Sequence, residues 1–116
     1  MSLQIKAQKG GSFVVAPTDD ADVYTPEQFT DEQHMIAKMT ADFVQKDVRP
    51  VLSQIEAHDF SHSVRLFQQA GELGLLGADI AEEYGGVGLD KVSSTLITEN
   101  MAQARSFGLS VGAHTG

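Results

Sequence analysis

The sequence predicts an all-α fold, an up-and-down helical bundle of about five helices with an extended N-terminal arm. Three observations carry that reading. Apolar residues recur at spacings of three and four through most of the chain after Phe29. Helix starts are marked at Thr30 and Asp90, and stops at Gly74 and the cluster Gly85, Gly86, Gly88. Only Phe13, Val14 and Val15 form a strand-like run, and they lie in a segment otherwise full of breakers. Residues 1–28 are therefore read as the arm and residues 29–116 as the helical domain.

The elements follow in order. The arm, Met1 to Gln28, carries Gly10, Gly11, Pro17, Pro26 and the acidic cluster Asp19, Asp20, Asp22, and its apolar run is expected to pack on something larger. A first helix begins at Thr30, where Gln33 stands three residues on as in a capping box, with Asp31 and Glu32 suiting the helix dipole. Ile36, Met39, Phe43 and Val44 give it an apolar face; Lys38, Asp42, Gln45 and Lys46 take the wet side. Pro50 bends or restarts the axis, and a short piece follows from Val51 to Ala57.

Another helix starts at Ser61 or Ser63 with Val64, Phe67 and Ala70 inward, joined by Leu66 and Leu73, and Gly74 stops it. Leu75, Leu76 and Ile80 are read as a buried connection to the turn Glu82 to Asp90. Three glycines there let the chain reverse, and Asp90 caps the next helix. That helix, Lys91 to about Ala104, is expected to be the longest, with Ile97, Met101 and Ala104 as one seam and Val92, Leu96 and Ala102 widening it. Ser106 caps a last helix, Phe107 to His114, so apolar that burying it needs partners the sequence does not supply. The apolar pattern runs to Gly116, and the chain reads as the N-terminal portion of a larger protein.

Bulk properties bound the function. The chain has 116 residues, 41% apolar and 21% charged, which suits one soluble globular domain. Eight basic and sixteen acidic groups give a net charge of −8, so nucleic acid and anionic membranes are poor partners. No apolar run approaches the ~20 residues that span a bilayer, and no signal peptide is recognisable, so the protein is expected to be cytoplasmic. Absence of cysteine removes disulfides and thiolate chemistry together.

Candidate chemistry is sparse. The glycine cluster suggests a phosphate cradle, but its Gly-Gly-x-Gly spacing does not follow a strand, and a structural reversal is the better reading. His58 and His62 echo a zinc helix without a third ligand, so no metal is expected. Glu82 and Glu83 are adjacent and point apart, as in a solvated acidic turn. Glu99 lies on a helix with two apolar sides, which predicts partial burial and a structural partner in preference to catalysis. No nucleophile has a base at a telling spacing. Around Ser110, Gly112, Ala113 and His114 the small residues leave room for either a close-packed helix or a ligand tail.

Four segments in order, Phe29-Thr30-Asp31-Glu32-Gln33, Gly71-Glu72-Leu73-Gly74-Leu75-Leu76-Gly77, Glu83-Tyr84-Gly85-Gly86-Val87-Gly88-Leu89 and Ile97-Thr98-Glu99, resemble the N-terminal α-helical domain of the acyl-CoA dehydrogenases. Gly10-Gly11-Ser12-Phe13 and Val111-Gly112-Ala113-His114 look most like bacterial fatty-acid enzymes near the very-long-chain branch. The resemblance implies α,β-desaturation of fatty acyl-CoA in β-oxidation, FAD bound mainly by later domains, and a glutamate base in a C-terminal bundle. It further implies an electron transfer flavoprotein as electron acceptor and a homo-oligomeric parent. Neither catalytic nor flavin-binding residues are expected within these 116 positions. Leu109, Ser110, Gly112 and Ala113 correspond to the closed end of the acyl pocket, and the missing side chain at Gly112 implies tolerance of long chains. An acyl-CoA oxidase or flavin monooxygenase of the same superfamily remains open, as does a self-contained helical interaction module.

Overall fold

Thr30 starts the helical part of the chain. The structure, a computed structural model, describes residues 10–17, 19–20 and 23–115, so the readings placed on Asp22 and Gly116 lie outside the described residues. In α1 (Asp31–Phe43) the Thr30 hydroxyl accepts from the Gln33 N–H at 3.1 Å, and the Gln33 side-chain oxygen accepts from the Thr30 N–H at 2.9 Å. Both halves of the capping box are therefore formed. Ile36, Thr40 and Phe43 face the core with Met39 packed against it, and the buried Thr40 hydroxyl is satisfied by the Ile36 carbonyl at 2.8 Å.

Beyond Phe43 the chain stays helical past Pro50 by changing pitch. It widens to a π turn over Val44–Val48, tightens to a 3-10 turn over Arg49–Val51, and resumes as α2 (Leu52–Glu56). Proline has no N–H for the regular ladder, and the altered turns accommodate that gap. Val44, Val48, Leu52 and Ile55 are all buried along this path.

The helix α3 (Ser61–Glu72) turns Leu66 and Ala70 to the core, with Phe67 half-buried beside them. Val64 was expected inward; it is 65% exposed, because the stripe that meets the other helices is centred on Leu66 and Ala70. Leu73 is likewise exposed. Gly74, at φ +79°, ends the helix: its N–H donates to the Gly71 carbonyl and that of Leu75 to the Ala70 carbonyl. This pair of bonds is the Schellman pattern. Leu75 and Ala78 are buried and Leu76 half-buried, but Ile80 is exposed, so the connection is buried only in its first part.

Helix α4 (Lys91–Met101) is capped by Asp90, whose carboxylate accepts from the Ser93 N–H at 2.8 Å. Its eleven residues continue into a 3-10 turn, Ala102–Ala104, and are fewer than the thirteen of α1, so α4 is not the longest helix. Leu96, Ile97, Met101 and Ala104 are buried, whereas Ala102 is exposed. Glu99 is also exposed, against the expectation of partial burial.

The last helix, α5 (Ser106–Thr115), buries Phe107 and Val111. Phe107 lies between Phe43 and Phe67, at ring-centre distances of 6.3 and 5.7 Å, so one aromatic cluster ties α1, α3 and α5 together.

The arm departs from its reading. Ser12–Val14 is one 3-10 turn, not a strand, and Val14 and Val15 are exposed. Among the described residues there is no strand, and the all-α class holds. No helix there is long and apolar enough to cross a membrane.

Candidate functional site

Two features of the chain invite a ligand, the glycine turn and the groove beside α5. The turn spends its donors on itself. The N–H groups of Gly85, Gly86, Val87, Gly88 and Leu89 donate to the carbonyls of Glu82, Ala81, Gly77, Ile80 and Ala78. Five consecutive amides are thus committed inward, so nothing is left to cradle a phosphate. Gly85 and Gly88 take left-handed backbone at φ +86° and +71°, and Gly86 lies so close to the Ile80 carbonyl that a Cβ would overlap it. The turn is structural.

The groove runs between α4 and α5 and has a volume of about 1130 Å³. Leu75, Ala78, Ile97, Met101 and Val111, all buried core residues, form its apolar floor. One wall is the α4 face with Ser94, Thr95 and Thr98, whose hydroxyls donate to carbonyls of their own helix and so offer little to a polar ligand. At the N-terminal end of α4 Lys91 pairs with Asp79; past its C-terminal end Glu56 bonds Ser106. Charge therefore stands at the ends, and the middle is greasy.

Helix α5 supplies the other wall. Leu109, Gly112 and Ala113, at spacings of three and four, share one face and line the groove. Ser110 does not; it is exposed, and its hydroxyl donates to the Ser106 carbonyl at 3.3 Å. A Cβ built on Gly112 meets nothing within 4 Å, so that glycine opens onto free space. Gly108 is the opposite case: a Cβ there would stand 2.5 Å from the Met101 carbonyl oxygen. Its bareness lets α5 seat against the end of α4. The roles of Gly108 and Glu56 were not visible in the sequence, since each depends on a neighbour supplied by tertiary structure.

The remaining candidates do not assemble. His58 is exposed with its ring edge-on to Phe60 at 5.9 Å, and no group of three or more His, Asp or Glu among the described residues could hold a metal. Glu82 and Glu83 are exposed in the 3-10 turn Glu82–Tyr84.

Fold and groove together define an all-α domain that offers an apolar slot and, among the described residues, no cluster of reacting groups. Residues 30–116 match the family model described as acyl-CoA dehydrogenase, N-terminal domain. The chain is 60% identical over 109 residues to a probable acyl-CoA dehydrogenase of Bacillus subtilis, covering 94% of this chain and 18% of that protein. It is 36% identical over 89 residues to a mitochondrial isovaleryl-CoA dehydrogenase of Solanum tuberosum, covering 75% and 22%. The crystal structure of an acyl-CoA dehydrogenase complexed with FAD from Bacillus anthracis superposes with a TM-score of 0.88 at 55% identity, over 95% of this chain and 19% of that one. The chain belongs to the acyl-CoA dehydrogenase family and carries its N-terminal domain. It spans about a fifth of the length of these relatives.

Proposed function

We propose that the chain is the N-terminal helical domain of a cytoplasmic, FAD-dependent acyl-CoA dehydrogenase that desaturates fatty acyl-CoA thioesters between the α and β carbons. The groove between α4 and α5 takes the far end of the acyl chain. The observation that carries this reading is the opening of Gly112 onto free space within an apolar slot, in a chain 60% identical to a probable acyl-CoA dehydrogenase. An alkyl tail gains about 0.8 kcal/mol for each methylene moved out of water, and a floor of Leu75, Ile97, Met101 and Val111 provides that environment.

FAD supplies the hydride acceptor in this proposal, and the residues described here do not fit it. The glycine turn has no spare amides, and the N-terminus of α4 is occupied by the Asp90 carboxylate. The flavin and the base that takes the α-proton are therefore assigned to parts of the enzyme other than these residues. What this domain does is bind: it orients the tail and keeps water from it. Electrons are proposed to pass to an electron transfer flavoprotein, and the parent enzyme to be a homo-oligomer. The family match sets aside the reading as an unrelated interaction module.

The test is anaerobic addition of saturated acyl-CoA to the natural full-length protein loaded with FAD. Bleaching of the flavin absorbance with formation of the 2-enoyl thioester is expected. A flavin that stays oxidised with every chain length would refute the reading. Rapid reoxidation by oxygen in place of the flavoprotein acceptor would move the enzyme to the oxidase class.

A further inference from the structure

Glu56, the last residue of α2, meets the start of α5 fifty positions further along the chain. Its Oε1 accepts from the Ser106 N–H at 3.2 Å and from the Ser106 hydroxyl at 2.6 Å. The first turn of α5 thus takes its acceptor from another helix, where a helix usually carries its own capping side chain. The residue just before Ser106 is strained. Arg105 has φ +50° and ψ −122°, a conformation suited to glycine. Such backbone persists only where its surroundings over-determine it. Three contacts do so here: the Glu56 bonds, the seat of Gly108 on the Met101 carbonyl, and the burial of Phe107.

We propose that Glu56 is a positioning residue: by clamping Ser106 beside the strained Arg105 it fixes the tilt of α5 and so sets how long an acyl chain the groove admits. The proposal rests on the acyl-pocket reading above. Leu109, Gly112 and Ala113 ride on α5, so a helix free to rock at its first turn would blur the far wall of the slot that Glu56 itself borders. Bonds from the Ser106 hydroxyl and N–H hold the Glu56 carboxyl below its ordinary range, so the clamp is an ionised, charge-assisted one at neutral pH.

The experiment compares Glu56→Ala, Glu56→Gln and Gly112→Leu in the natural full-length protein. Two readouts are taken: amide hydrogen exchange at Phe107 to Leu109, and KM across saturated acyl-CoA thioesters of increasing length. Glu56→Ala is expected to speed exchange roughly tenfold, the factor by which losing a helix cap shifts a local equilibrium, and to flatten the dependence of KM on chain length. Glu56→Gln keeps an amide oxygen that accepts both bonds without the charge, and is expected to bring both readouts part of the way back to wild type. If Glu56→Ala does not fold, Ser106→Ala removes the 2.6 Å bond alone and should move both readouts the same way by less.

Unchanged exchange in Glu56→Ala would overturn the proposal, because Phe107 and Gly108 would then hold the turn unaided. Faster exchange with an unaltered chain-length profile would overturn it too. Gly112→Leu keeps the two readings apart. A shift in Gly112→Leu beside an unmoved Glu56→Ala profile sinks the clamp alone, whereas an unmoved Gly112→Leu removes the pocket reading and the clamp's role with it.

Discussion

Gln33 joins two helix starts. Its side-chain oxygen accepts from the Thr30 N–H at 2.9 Å and from the Tyr24 hydroxyl at 3.2 Å, while its amide nitrogen donates to the Asp90 carboxylate at 3.0 Å. The residue is buried, whereas Tyr24, Thr30 and Asp90 are exposed, so removing it breaks three bonds whose partners water can still reach. Gln33→Leu is expected to lower stability by about 0.5–1.5 kcal/mol in denaturant unfolding, the usual net contribution of a hydrogen bond whose partners can return to water. The Thr-x-x-Gln signature made the local half of this arrangement legible. The bond to Asp90, fifty-seven residues away, was not, because no local rule relates the two positions. Gly86 offers a second residue-scale test. A methyl group there would overlap the Ile80 carbonyl, whereas at Gly112 it would meet nothing. Gly86→Ala should therefore depress Tm by several degrees and Gly112→Ala, inside α5, raise it slightly, as differential scanning calorimetry can show.

Helix α4 shows what a cap contributes. The Ser93 N–H holds the Asp90 carboxyl below its ordinary value of 3.8, with help from the Ser93 and Gln33 side chains. A carboxyl depressed on folding stabilises the folded state above its unfolded pKa. That contribution fades as pH falls from 3.8 through the lower folded value. Asp90→Ala should therefore cost about 0.5–2 kcal/mol at neutral pH, and the gap to wild type should narrow in acid. A gap that persists unchanged in acid would show that the carboxylate is not the cap. Element boundaries were legible where a side chain caps or a glycine stops, as at Thr30, Gly74 and Asp90. They were not where packing decides. The spacing of Val64, Phe67 and Ala70 is as good a helical stripe as the one used, and only the positions of the other helices select Leu66 and Ala70. At Pro50 the expected bend or restart takes a form no local rule specifies, a π turn followed by a 3-10 turn that absorbs the missing donor.

For the whole molecule, the bundle is closed on the side of the Phe43, Phe67 and Phe107 cluster and open along the groove. Phe107→Ala would leave a cavity between three helices and should cost about 3–5 kcal/mol, a large share of the stability of a domain of this size, as denaturant unfolding can show. The all-α class was legible from periodicity alone. The groove was legible only on its α5 side, through the small residues near Gly112; its floor comes from Leu75 and Ala78, which only the fold brings there. Leu109 is 77% exposed beside that slot. Residues 1–116 produced alone should consequently self-associate in light scattering, and should retain no flavin absorbance once added FAD is removed by gel filtration.

The slot beside α5 is proposed as the seat of an acyl tail, and filling it from the protein side tests that most directly. Leucine placed at Gly112 in the natural enzyme enters open space, so the fold is retained and the slot shortened. The preferred substrate, read as kcat/KM against acyl length, is expected to move to shorter thioesters. A folded, flavin-loaded Gly112→Leu enzyme with the wild-type length profile would contradict the account.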